Sequence, residues 1–148
     1  DAMQLSLLIS DNSLEDSTQT ALKKYARADF LAYQNKKKDA VELLEDILQN
    51  HKGEKIEDEA LLKQAQILIE LKDYEKAEFN YLKIVEFYAN DILADDANFA
   101  LAELYRNILE QPEKAKAHYE KIIYNYQDSY FFPLARRNFR MLRGDSIN

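Results

Sequence analysis

Apolar residues along this chain recur at three- and four-residue spacings, and that pattern itself returns with a longer period, the mark of a repeat architecture. Ala28, Ala65 and Ala102 stand 37 apart, as do Leu31, Leu68 and Tyr105 and the polar set Asp29, Gln66 and Glu103. A second series follows. Ala40, Ala77 and Ala115 each have a large apolar residue four positions on (Leu44, Tyr81, Tyr119) and an isoleucine three beyond that (Ile47, Ile84, Ile122). Alanine with a large residue at i+4 places both on one face of a helix. The third unit has one extra residue, assigned to its turn. Each unit therefore predicts two antiparallel helices, with small residues where they approach and large ones filling the space to the next unit.

The predicted helices fall at about 1–10, 18–34, 38–50, 57–71, 74–89, 92–109, 112–126 and 130–142. Asp73 before Tyr74 suits an N-cap, and Pro112 suits a first turn, where its missing N–H costs nothing. Gly144 can end the last helix in the left-handed region, and Pro133 moves the start of that helix toward Phe132. Two glycines and two prolines in 148 residues are too few for the turns of a β-rich or α/β domain. The expected class is all-α, in one domain with a continuous core.

The middle unit carries Leu61, Gln64, Ala65 and Leu68, then Asp73, Tyr74, Glu75, Lys76, Ala77, Tyr81 and Ile84; the third carries Leu101, Ala102, Tyr105, Ala115 and Tyr119. These residues resemble the tetratricopeptide repeat, over about Ala21 to Asp128. The first unit departs more, with Arg27 and Leu31. The family's closing proline is replaced by Lys52, Ala89 and Gln127, and each period exceeds the family's 34, which implies longer connections. The resemblance implies a right-handed α-α superhelix of three hairpins with an N-terminal helix and a C-terminal capping helix. Residues 1–148 then form a single domain: 1–20 N-terminal helix and linker, 21–52, 58–90 and 95–127 the three repeats, and 129–143 the capping helix. The run Asp128-Ser129-Tyr130-Phe131-Phe132-Pro133-Leu134-Ala135-Arg136-Arg137 is similar to the closing segment of bacterial cell-envelope proteins of this repeat class. That likeness implies the C-terminal array of a longer exported protein and a periplasmic or envelope setting. A chain that begins at Asp1 inside a predicted helix is expected to be a processed form or an excised piece.

Charge narrows the function. The balance of 20 basic against 27 acidic residues gives −7, which disfavours a nucleic-acid surface. No stretch reaches the ~18 apolar residues of a membrane span, and no charged-then-apolar leader precedes the fold. Cysteine is absent, removing disulfides, thiolate metal sites and a cysteine nucleophile. His51 and His118 are unlinked to any nucleophile or ligand set; His118 is expected at a surface or rim. Asp91, Asp95 and Asp96 are expected to favour a helix N-terminus rather than hold calcium, since the glycine-bearing loop of such a site is missing. No catalytic, cofactor-binding or metal residue is assigned, and no cofactor is expected.

Two basic groups stand out. Lys36, Lys37 and Lys38 fit a solvated turn beside a helix C-terminus, and Arg136, Arg140 and Arg143 share one face of the last helix at i, i+4 and i+7. That stripe fits the polar outer face of a cap and, as the alternative, an acidic partner.

The resemblance also implies that the first helices line an inner face which holds a protein or peptide. Transferring the register gives Leu22, Tyr25, Asp29 and Tyr33 from the first unit, Leu62, Gln66, Ile69 and Glu70 from the second, and Phe99, Glu103, Arg106 and Asn107 from the third. One subfamily grips a C-terminal carboxylate with lysine and asparagine at such positions; the residues here do not support that clamp. The expected function is non-enzymatic binding of a partner segment carrying apolar and basic residues. The alternative is a structural end of a longer solenoid, for scaffolding or self-association, with no ligand of its own.

Overall fold

The computed structural model describes the backbone of residues 2–90 and 92–144, and the side chains of these from Asp16 onward. Among the described residues there are seven helices and no strand: α1 (Ala2–Tyr33), α2 (Lys37–Asn50), α3 (Glu57–Glu70), α4 (Tyr74–Phe87), α5 (Ala94–Asn107), α6 (Pro112–Asn125) and α7 (Phe132–Arg143). They group into two compact units, Asp1–Leu71 and Lys72–Asn148, divided at the turn between α3 and α4.

In the first unit α1 packs on α2 and α2 on α3. Ala21, Ala28, Ala40, Leu44, Ile47, Ile56, Ala60 and Ile67 make its core, with Tyr25, Leu31 and Val41 packed against them. Fully buried Gln64 on α3 donates its amide to the Val41 carbonyl (3.1 Å) and to Glu45 (3.0 Å), tying α3 to α2 without stranding a polar group. In the second unit α4, α5, α6 and α7 pack consecutively around Leu101, Leu104, Tyr105, Tyr119 and Ile122. Each Leu or Ile buried in these cores stabilises by roughly 1.5–3 kcal/mol.

The alanine register is realised. Ala28, Ala65, Ala102, Ala40, Ala77 and Ala115 all have no exposed surface, and Leu44, Tyr119, Ile47, Ile84 and Ile122 are equally sealed. A small side chain at each of these points lets two helices approach closely, and a large one beside it fills the remaining volume.

Turns repeat with the same period. Asn35, Lys72 and Glu110 sit in the left-handed region at φ 64, 65 and 52°, each at the turn inside a helix pair. After α1 the Lys36 N–H bonds the Leu31 carbonyl (2.8 Å), a Schellman-type closure around Asn35. After α5 the corresponding bond runs from the Gln111 N–H to the Tyr105 carbonyl (2.8 Å), one residue wider. The extra residue of the third unit is absorbed there, with the N–H groups of both Ile108 and Leu109 on the Leu104 carbonyl.

Helix ends follow the local signals. The Asp73 carboxylate accepts the Lys76 N–H (3.4 Å), Pro112 opens α6, α7 starts at Phe132 with Pro133 in its first turn, and Gly144 closes it at φ 90°. The N-terminal region differs from expectation. Instead of helices at 1–10 and 18–34 with a linker, α1 is one helix of 32 residues. Asp11, Asn12 and Ser13 suggest a break, but each costs a helix interior well under ~1 kcal/mol, and no glycine or proline precedes Gly53 to stop it. Asp1 and Asp91 lie outside the described residues.

Candidate partner-binding surfaces

None of the twelve register-derived face residues is buried, and the structure distributes them over three places. In the first unit a cavity of about 530 Å³ opens between α1 and α3, lined by Ala26, Asp29, Phe30, Ala32, Tyr33, Lys63, Gln66, Ile67 and Glu70. It brings together Asp29, Tyr33, Gln66 and Glu70 of the expected face. Lys63 and Phe30 belong to it although the register passed over them. The Lys63 ammonium, half-buried, meets the Asp29 carboxylate at 2.6 Å and bridges α1 to α3, and Lys37 reaches Glu70 at 3.1 Å. Both carboxylates stay more than half exposed, so the pairs are weak in energy while their charge remains open to a visitor. Tyr33 is 88% and Phe30 56% exposed. An exposed aromatic beside Asp29 is the signal in the sequence that would have found Phe30.

Leu22 lies two turns earlier, at a second cavity of about 550 Å³ floored by Ala21 and Ile56, with Glu54 and Glu59 in its wall. Tyr25 is half-buried against the unit's core, and burial, then Glu59 and Asp29, raises its pKa. Leu62 and Ile69 are half-buried on α3 and line neither cavity.

In the second unit the expected face is largely occupied by the protein itself. Phe99 stacks on Phe131 at 4.5 Å between centroids and meets Tyr119 edge-on at 6.0 Å. Glu103 accepts the Tyr119 hydroxyl (2.5 Å) and the Asn138 amide (3.1 Å) on one oxygen and the Asn107 amide (2.8 Å) on the other, which joins α5, α6 and α7. Burial together with this carboxylate raises the Tyr119 pKa, so the phenol stays a donor. Arg106 stands 3.9 Å from the same oxygen, and its buried Nη1 has no hydrogen bond.

His118 is not at a rim. It is buried on α6, with Nδ1 3.0 Å from the Asn98 side-chain oxygen and its ring stacked on Tyr105 at 5.6 Å. Burial, then Lys121 and Lys114, lowers its pKa to about 4, so it is a neutral structural group. His51 caps α2 and is also buried. Lys24 can only donate, and it does so to Nε2 (3.3 Å), so Nδ1 carries the proton toward Glu54 (2.6 Å). Ser17 stands 3.4 Å from that same Nδ1 and gives its hydroxyl to Glu54. A serine activated by histidine needs the carboxylate on the opposite ring nitrogen, so this trio joins α1 to the loop after α2 without the geometry of a nucleophile. Of the acidic group, Asp95 accepts the Ser129 hydroxyl (2.5 Å) and the Asp96 N–H (3.0 Å), while burial, then Asp95, raises Asp96. No three metal-ligating side chains converge among the described residues.

The tetratricopeptide-repeat profile matches residues 59–91 and 96–129, the segments that hold α3–α4 and α5–α6. Two stretches of the chain thus match the tetratricopeptide repeat. With seven helices and no strand among its described residues, the chain fits an all-α helical-repeat solenoid. Tetratricopeptide repeats generally act as protein–protein interaction modules and are typically non-enzymatic. No helix among the described residues is long and apolar enough to cross a membrane. A comparison with curated proteins finds no match.

Proposed function

We propose that this tetratricopeptide-repeat chain is a non-enzymatic binding module whose α1–α3 groove takes an extended segment of another protein carrying apolar and basic residues. One observation carries this reading: Phe30 and Tyr33 stand exposed in a cavity whose rim holds the open carboxylates of Asp29 and Glu70. Aromatic rings supply contact area at low entropic cost, and the carboxylates favour a basic segment over an acidic one. The likeness of the tail to envelope proteins supports a periplasmic or envelope-associated setting.

A photo-crosslinking residue at Gln66, exposed in the same cavity, should capture a defined partner in the native cell, while one at exposed Glu42 on α2 should not. Phe30→Ala with Tyr33→Ala should weaken that capture roughly tenfold or more while the chain stays folded. Equal capture by wild type and the folded double variant rejects the groove.

The internal engagement of Phe99 and Glu103 favours a structural role for the second unit, as the end of a longer array. On that second reading, crosslinks from α5 would map back to this chain or its longer parent.

A further inference from the structure

The seam between α1 and α3 extends past the polar cavity. On α1 the stripe Thr18, Leu22, Ala26, Asp29 and Tyr33 recurs at i, i+4, i+8, i+11 and i+15; on α3 Glu59, Lys63, Gln66 and Glu70 recur at i, i+4, i+7 and i+11. Each stripe is one helix face. Thr18, Leu22 and Glu59 line the cavity of about 550 Å³, and the later members of both stripes line that of about 530 Å³. The two cavities therefore lie end to end, with α1 and α3 running in the same direction. Tyr25 stands at the junction, since after burial itself Glu59 of one cavity and Asp29 of the other raise its pKa.

The two ends differ in character. Ala21 and Ile56 floor the first of them, and half-exposed Leu22 forms its wall. The other lies at the C-terminal ends of α1 and α3, whose last turns hold no basic residue, so the helix dipoles add negative charge to that of Asp29 and Glu70. Asp29 gives one oxygen to Lys63 and Glu70 gives one to Lys37, and the second oxygen of each has no partner among the described residues.

We propose, given binding in this groove, that the bound segment lies extended in a fixed register: an apolar side chain in the Leu22–Ile56 cavity and an arginine or lysine four positions away at Asp29. Asp29 is seven residues past Leu22 and eleven past Thr18, which sets it about 14 Å along the axis from their midpoint. An extended chain covers that distance in about four residues, and its side chains alternate, so i, i+2 and i+4 all face the groove, with the middle one at Tyr25. A helical ligand needs about nine residues for the same span. The protein's own Lys63 already seats an ammonium 2.6 Å from Asp29, the chemistry that the ligand's cation repeats.

The test uses the full chain and fluorescent serine–threonine peptides of about ten residues. Each carries one leucine and one arginine, in either order, about two, four, six or nine positions apart. Anisotropy at low salt should show tightest binding at four. Leu22→Ser should weaken that peptide at least about fivefold and leave its leucine-free version unchanged; Asp29→Asn should do the same with respect to the arginine. Both side chains are at least half exposed, so helical circular dichroism should not change. Lys63→Gln, which frees Asp29, should tighten binding, and equal or weaker binding there overturns the placement of the arginine. Binding that is lost in Phe30→Ala/Tyr33→Ala yet indifferent to spacing, or tightest at nine, overturns the register and leaves the groove standing. Binding that ignores Phe30→Ala/Tyr33→Ala overturns both, and no saturable binding by any peptide overturns the register.

Discussion

A neutral histidine stacked on a tyrosine in a helical core makes His118 a source of acid sensitivity. Its folded pKa of about 4 lies below its ordinary 6.5, so between those values the unfolded chain holds a proton that the folded chain does not. Stability from this group is complete above about pH 6.5 and is lost as pH falls toward 4, by roughly 3 kcal/mol at the upper limit. Urea midpoints at pH 7 and 4.5 should fall further for wild type than for His118→Phe, which keeps a ring against Tyr105 and removes the titration. Equal falls would show that the pH dependence comes from carboxylates instead. Such a residue was not legible in the sequence. Asn98 and Tyr105, which seal His118, are 20 and 13 positions away, and only the packing of α5 on α6 brings all three together.

Each helix pair turns through one left-handed residue, and two of the three are not the residue types that tolerate it. Asparagine at 35 is comfortable there, whereas Lys72 and Glu110 carry a Cβ into a conformation that disfavours it. Glu110→Gly should raise stability by about 0.5–1 kcal/mol and Glu110→Val should lower it, measured by chemical denaturation. Elements of this kind were the most readable part of the sequence. The paired alanine series marked where helices touch, and Asp73, Pro112, Pro133 and Gly144 marked where they begin and end. The break expected near residue 11 failed because a weak local preference for a turn does not stop a helix. The candidate groove was half legible. Register gave Asp29, Tyr33, Gln66 and Glu70, but Lys63 enters through a contact with α1, and the stacking of Phe99 on Phe131 depends on a segment after the repeats.

At the scale of the whole molecule, the tail does more than close the chain. Phe131 covers Phe99, and Asn138 satisfies both Glu103 and the Tyr119 hydroxyl, so the second unit depends on residues past its last hairpin. Truncation before Ser129 should lower the melting temperature by at least about 5 °C and increase binding of a hydrophobic dye. An unchanged melt would mean that α7 is an ornament on a complete unit. The wider closure after α5 has a practical corollary. Since the loop at Ile108–Leu109 already holds a surplus residue without displacing Ala115 from its sealed position, it is the natural place to splice in a tag or fluorophore that leaves the flanking helices in phase.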